Sequence, residues 1–180
     1  MIDKYALIPS KVDFGKIYTL IPFVSSQFLH AGLFHIISNM WFLKIFGDNV
    51  EEKVGAIVFI FLYVFSGAAG ALFQYLFTVS SDIPMLGASG SVAGVLGAYL
   101  VFFPRDKIET LIPLGIFVRI IEIPSSIMLV YWFLLQIFSG VGSFIHIEGA
   151  GVAWWAHVGG FVSGYVIALL FQKKSRYAFS

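Results

Sequence analysis

The chain has 180 residues, 59% of them hydrophobic and 12% charged, with a net charge of +1 at neutral pH. A soluble domain carries about 25% charged residues, so this composition is that of a membrane protein, and the near-zero charge offers no footprint for nucleic acid. There are no cysteines, which excludes disulfides, thiol catalysis and thiolate metal sites.

Residues 1–29 hold Pro9, Pro22 and the basic Lys4, Lys11 and Lys16. No stretch there is apolar for long enough to cross a bilayer, and Met1-Ile2-Asp3-Lys4 lacks the basic-then-apolar pattern of a secretory signal. We read this region as an outer loop with interface-lying pieces. Five apolar segments follow, at 31–46, 56–77, 89–103, 124–141 and 151–171. They predict an all-α polytopic membrane bundle of about five transmembrane helices over 30–172, with 173–180 as a basic tail. The third segment spans roughly 22 Å at about 1.5 Å per residue, short of a hydrocarbon core of about 30 Å. Such a helix survives if other helices surround it and its loop sinks into a protein cavity.

Loop charges predict orientation. Lys44 and Lys53 flank the first turn, Arg105, Lys107 and Arg119 lie between the third and fourth segments, and Lys173, Lys174 and Arg176 follow the fifth. The alternate loops carry no Lys or Arg. Basic loops stay in the cytoplasm, so the start of the third segment opens to the other face.

That start is Gly87-Ala88-Ser89-Gly90, and His157 lies in the fifth segment, within Trp154-Trp155-Ala156-His157-Val158-Gly159-Gly160. A serine and a histidine in bilayer-compatible segments suggest a nucleophile and its base. His157 falls about six residues into its segment, roughly 9 Å down, a depth that suits a sunken Ser89. Small residues recur every four positions in both segments: Gly90, Gly94 and Ala98 in the third, and Ala156, Gly160, Gly164 and Ala168 in the fifth. Such stripes let helices approach closely in lipid, so the third and fifth are expected to pack face to face. They serve packing alone if nothing else joins them.

His35 and Asn39 form an i, i+4 pair on one face of the first segment. Both can donate hydrogen bonds to a developing oxyanion, or bond neighbouring helices as structural glue. Ser91 is the rival nucleophile, turned about 200° from Ser89 on the helix. Ser125, Ser126 and Ser163 lack comparable partners. His30 reads as an interface residue and His146 as solvated in an outer loop. No acid lies near Ser89 or His157 in sequence, which suggests a dyad. Four histidines without His-Glu-x-x-His or an intramembrane acid make a poor metal set.

Together these residues resemble the rhomboid intramembrane serine proteases. The matches run in family order: His30-Ala31-Gly32-Leu33-Phe34-His35 with Asn39, Phe46-Gly47-Asp48-Asn49-Val50-Glu51 ending at Gly55, Gly87-Ala88-Ser89-Gly90, and Ala156-His157-Val158-Gly159-Gly160 with Gly164. They cover about residues 28–172. The resemblance implies a serine endopeptidase with Ser89 as nucleophile and His157 as general base. It assigns His35, Asn39, Gly87 and Ala88, with the backbone at Ser89, to the oxyanion and substrate-binding site. It implies single-span membrane-protein substrates in a lipid bilayer, no cofactor and no metal. A prokaryotic cell membrane is the expected location, with the site open to the outer face. The family core has six spans and the first has no counterpart here; residues 1–29 resemble the loop that follows it. Many members carry Trp-Arg in that loop where this chain has Ile21-Pro22, and some place Tyr four residues after the serine, where this chain has Ala93. Two other readings compete: a catalytically impaired relative that binds membrane proteins, and a small transporter with His35, Asn39 and His157 lining a pathway. Internal repeats and paired broken helices, the marks of many transporters, are absent from the sequence.

Overall fold

The computed structural model describes residues 2–115, 117–143 and 152–178, with the side chains of 2, 3, 114 and 174–178 outside that description. His146 therefore lies outside the described residues. A single-turn helix, α1 (Ile2–Tyr5), and a second, α2 (Pro22–Ser25), precede the bundle, with short 3-10 turns at Pro9–Lys11, Ile17–Thr19 and Ser26–Phe28. The bundle follows as α3 (Leu33–Val54), α4 (Ala56–Phe77), α5 (Ser89–Phe102), α6 (Ser125–Gly142) and α7 (Trp154–Ala178).

Five helices thus stand at the five expected places. Three stretches, Ala56–Phe77, Ser125–Gly142 and Trp154–Lys173, are long and apolar enough to cross a membrane. A fourth span results if Ile17–Phe28 and Leu33–Val54, bent by 77°, count as one. The 14-residue α5 is short, about 21 Å at roughly 1.5 Å per residue. It is sheltered as the sequence required: every residue from Gly90 to Tyr99 is buried.

α7 runs on past residue 171 to Ala178, and two further differences from expectation shape the packing. α3 runs on past residue 46 to Val54, because Phe46, Val50 and Val54 continue a four-residue apolar stripe and are buried at 1%, 0% and 9% exposure. The charges of that stretch stay on the outer face, where Lys44 pairs with Asp48 one turn on. Gly55, at φ 82, then turns the chain directly into α4. The second difference is the connection from α5 to α6. It folds into an antiparallel hairpin, β1 (Lys107–Leu114) with β2 (Phe117–Pro124), pairing Lys107 with Pro124 and Leu114 with Phe117. Ile, Val and Thr favour the extended backbone, and Gly115 at φ 65 begins the turn. Lys107 Nζ lies 2.6 Å from Glu122 Oε2 across the pair.

The bundle is built around α5. It packs most extensively on α7, with α4, α3 and α6 completing the surround. The small-residue stripes make that contact. A β-carbon at Gly160 would collide with the Gly90 carbonyl, one at Gly164 with the Gly94 carbonyl, and one at Gly97 with the Phe161 carbonyl. Large apolar side chains point outward instead: Phe34, Trp41, Ile57, Phe138 and Leu170 are all more than half exposed. Buried polar groups, among them Gln27, Ser66, Ser91 and Gln136, lie inside. Lipid imposes this arrangement, since tails cover apolar surface and polar groups must find protein partners.

Candidate active site

The loop that leads into α5 is held by the N-terminal region. Leu7 and Met85 exchange backbone hydrogen bonds of 3.0 and 2.7 Å, and Ser10 Oγ donates to Asp82 Oδ1 at 2.6 Å. The Gly87 N–H donates to the Ser26 carbonyl at 2.9 Å. Gly87 adopts φ 130, a conformation glycine tolerates best. Ala88 is the N-cap and Ser89 the first helical residue. The first turn closes with Val92 N–H donating to Ala88 C=O at 2.9 Å, and no side chain caps the end. The N–H groups of Ser89, Gly90 and Ser91 therefore precede the helical ladder, where free donors and the helix dipole favour negative charge.

His157 is the fourth residue of α7, about 4.5 Å along its axis from Trp154 at roughly 1.5 Å per residue. It is 9% exposed. Gln74 of α4 places this helix end: its Oε1 accepts from the backbone N–H groups of Trp155, at 3.0 Å, and Ala156, at 3.2 Å. The α5–α7 crossing then brings the two helix starts together. A β-carbon at Gly90 would lie 3.5 Å from the Ala156 carbonyl oxygen, so the neighbours of Ser89 and of His157 touch.

Two features surround the imidazole. Nδ1 of His157 is 2.8 Å from Gln136 Oε1 of α6. The rings of Trp132 and Trp154 stand 5.9 and 6.1 Å from it. Ala93 contributes no ring from α5, so aromatic packing on His157 comes from Trp132 of α6 and Trp154 of α7. Among the described residues the half-buried Ser89 hydroxyl makes no hydrogen bond, and none joins it to His157.

His35 lies over Gly87. A β-carbon at Gly87 would fall 2.7 Å from His35 Nε2. The imidazole therefore stands beside the turn that presents Ser89. His30 meets it edge-on, with ring centroids 5.2 Å apart. Asn39 is buried one turn along, and its Nδ2 donates one hydrogen bond to the His35 carbonyl at 3.0 Å, leaving a second N–H on that amide. Gly87 contributes its shape, since its N–H is held by Ser26. Ala88 is buried at 2% exposure.

Ser91 is occupied elsewhere. Its Oγ donates to Gln27 Oε1 at 2.9 Å, and Gln27 Nε2 reaches the Phe23 and Val64 carbonyls at 3.2 and 3.3 Å. This buried network ties the segment before α3 to α4 and α5. Ser163 donates to the Gly160 carbonyl, and Ser125 to that of Phe103. A cavity of about 520 Å³ lined by Lys4, Lys11, Asp13, Lys16 and Tyr18 lies in the N-terminal region, and among the described residues none from α3 to α7 lines it.

Sequence reasoning missed Gln136 and Gln74. The available signal was their polarity: a carboxamide within a bilayer-length apolar helix is costly without a partner, and each sits on a helix facing α7.

Comparison with known proteins places these residues in a family. A model of the rhomboid domain matches residues 17–174. The chain is 29% identical over 174 residues, 97% of its length, to RHOMBOID-like protein 1 of Arabidopsis thaliana, covering 39% of that protein. It is 34% identical over 111 residues, 59% of the chain, to Rhomboid protein 1, mitochondrial, of Saccharomyces cerevisiae, covering 31% of it. Rhomboid-like protein 11, chloroplastic, of Arabidopsis thaliana is 37% identical over 105 residues, 56% of the chain and 37% of that protein. The chain thus spans less than half the length of these relatives. Some are mitochondrial or chloroplastic by name, and the expectation of a prokaryotic cell membrane gains nothing from them. The order of the motifs, the α5–α7 crossing that joins them and the match over nearly the whole sequence lead to one conclusion: this integral membrane protein belongs to the rhomboid domain family.

Proposed function

We propose that the chain is an intramembrane serine endopeptidase that cleaves single-span membrane proteins within or beside the bilayer. The observation that carries this reading is the convergence of the first turns of α5 and α7, with the Ser89 hydroxyl unengaged among the described residues while that of Ser91 is bound to Gln27. In the proposed reaction Ser89 Oγ gives its proton to His157 Nε2 and attacks the scissile carbonyl carbon. The oxyanion forms beside the free N–H groups that open α5, with His35 and Asn39 as further donors. Collapse breaks the C–N bond, and His157 returns the proton to the leaving amine. Water, deprotonated by His157, then hydrolyses the acyl ester and regenerates Ser89.

The basic loops put the start of α5 on the face opposite the hairpin, so substrate and water reach the site from that side. The assay that tests this uses the chain in liposomes with a tagged single-span substrate. Cleavage by the wild type, lost in Ser89→Ala and in His157→Ala, is the expected result. Substrate binding without cleavage in the wild type would transfer the chain to the non-catalytic, membrane-protein-binding reading.

A further inference from the structure

We propose that Gln136 is a positioning residue that sets the tautomer of His157, holding the proton on Nδ1 so that Nε2 faces the reaction as a base. This rests on the reading of Ser89 and His157 as nucleophile and base. The geometry begins on α6, whose buried positions Leu129, Gln136 and Gly140 form the face turned to the bundle. Gly140 allows the close approach: a β-carbon there would lie 2.9 Å from Cε2 of Trp155 on α7. Gln136, one turn earlier, is 5% exposed and reaches the imidazole.

The amide orientation follows from its other bond. Gln136 Nε2 donates to the Trp132 carbonyl at 3.1 Å. A carbonyl oxygen can only accept, so the nitrogen must face Trp132 and Oε1 must face His157. Oε1 in turn can only accept, so the 2.8 Å contact requires a proton on Nδ1. A neutral imidazole with Nδ1–H carries its lone pair on Nε2, and the partner of one ring nitrogen decides the state of the other. When Nε2 takes the serine proton, the Nδ1–H bond to Oε1 persists and stabilises the imidazolium. A carboxamide does this without adding a buried charge to an apolar site, which would be costly.

The experiment uses the 180-residue chain in lipid, with ¹⁵N-labelled histidine and the His157 signals assigned by their loss in His157→Ala. The wild type is expected to show a protonated Nδ1 and an unprotonated Nε2 near neutral pH. Gln136→Leu should shift the signals toward the other tautomer and slow fluorophosphonate labelling of Ser89 by roughly 10–100-fold, taking the loss seen when the partner that orients a metal-bound histidine is removed. Gln136→Glu keeps an acceptor at the same reach, its charge offset by the imidazolium that forms beside it, and should recover most of the labelling. A wild type protonated on Nε2 overturns the proposal, as does Gln136→Leu with both readouts unchanged. If Gln136→Leu does not fold, the wild-type signals and Gln136→Glu labelling decide. A wild-type Ser89 that never labels, with Nδ1 protonated, counts against the protease reading and leaves the Gln136–His157 assignment standing.

Discussion

The Gly87 backbone lies directly beneath the His35 imidazole, so closely that a β-carbon would fall 2.6 Å from Cε1 and 2.7 Å from Nε2. The same residue adopts φ 130 and gives its N–H to Ser26. Three constraints meet at one position, and glycine satisfies all of them. Gly87→Ala forces a backbone conformation worth about 1–3 kcal/mol of strain and pushes His35 away. Lower thermal stability and at least tenfold slower labelling of Ser89 are expected. Labelling at the wild-type rate would show that the position of His35 over this turn does not matter to the chemistry.

The serines of the α5 start differ in their partners: Ser91 is bound to Gln27, and Ser89 makes no side-chain hydrogen bond among the described residues. Ser89→Ala should abolish cleavage and leave the melting temperature unchanged, since among the described residues its hydroxyl has no partner to lose. Ser91→Ala strands the buried Gln27 Oε1, an unsatisfied group costing about 1–3 kcal/mol. It should destabilise the protein and retain turnover per folded molecule. Activity in Ser89→Ala together with its loss in Ser91→Ala would reverse the assignment.

His35→Ala is expected to lower turnover by about 10²–10³-fold, the effect of removing one oxyanion donor, with a smaller change in substrate affinity. Asn39→Ala should do less, because one of its amide protons is already committed to the His35 carbonyl. Steady-state kinetics in detergent or liposomes separates kcat from KM. A change in KM alone would move both residues to substrate binding.

Gln74 acts from a distance. It accepts two N–H groups at the start of α7; Gln74→Leu removes both bonds, although the Ala156 N–H keeps the Ala153 carbonyl at 3.0 Å, and the loss costs about 0.5–1.5 kcal/mol per bond. The helix start then frays and His157 loses its depth. Both the melting temperature and Ser89 labelling are expected to fall in this variant, although Gln74 lies on α4. Unchanged labelling in a destabilised protein would limit Gln74 to a structural role.

Orientation is checked on intact cells, and the absence of cysteine makes single-cysteine labelling clean. Ile83→Cys, at a position 56% exposed before α5, should react with an impermeant thiol reagent. Val118→Cys, at a position 66% exposed in the hairpin, should react only after permeabilisation. The opposite pattern would turn the proposed site toward the cytoplasm.

The sequence by itself determined the helix positions and the α5–α7 contact. Apolar length and four-residue spacing are properties of consecutive residues, and lipid leaves few ways to satisfy them. It also singled out Ser89 and His157, because polar groups in apolar helices need a reason to be there. Other features were decided only by the tertiary structure. The run of α3 to Val54 depended on a core for Phe46 and Val50 to enter. The hairpin depended on Lys107–Leu114 finding Phe117–Pro124 across one turn. The glutamines depended on partners far along the chain: Gln136 meets His157 over 21 residues, Gln27 meets Ser91 over 64, and Gln74 meets Trp155 over 81. A carboxamide bonds in many directions and leaves no periodic trace, so its partner becomes legible only when packing has brought the helices together.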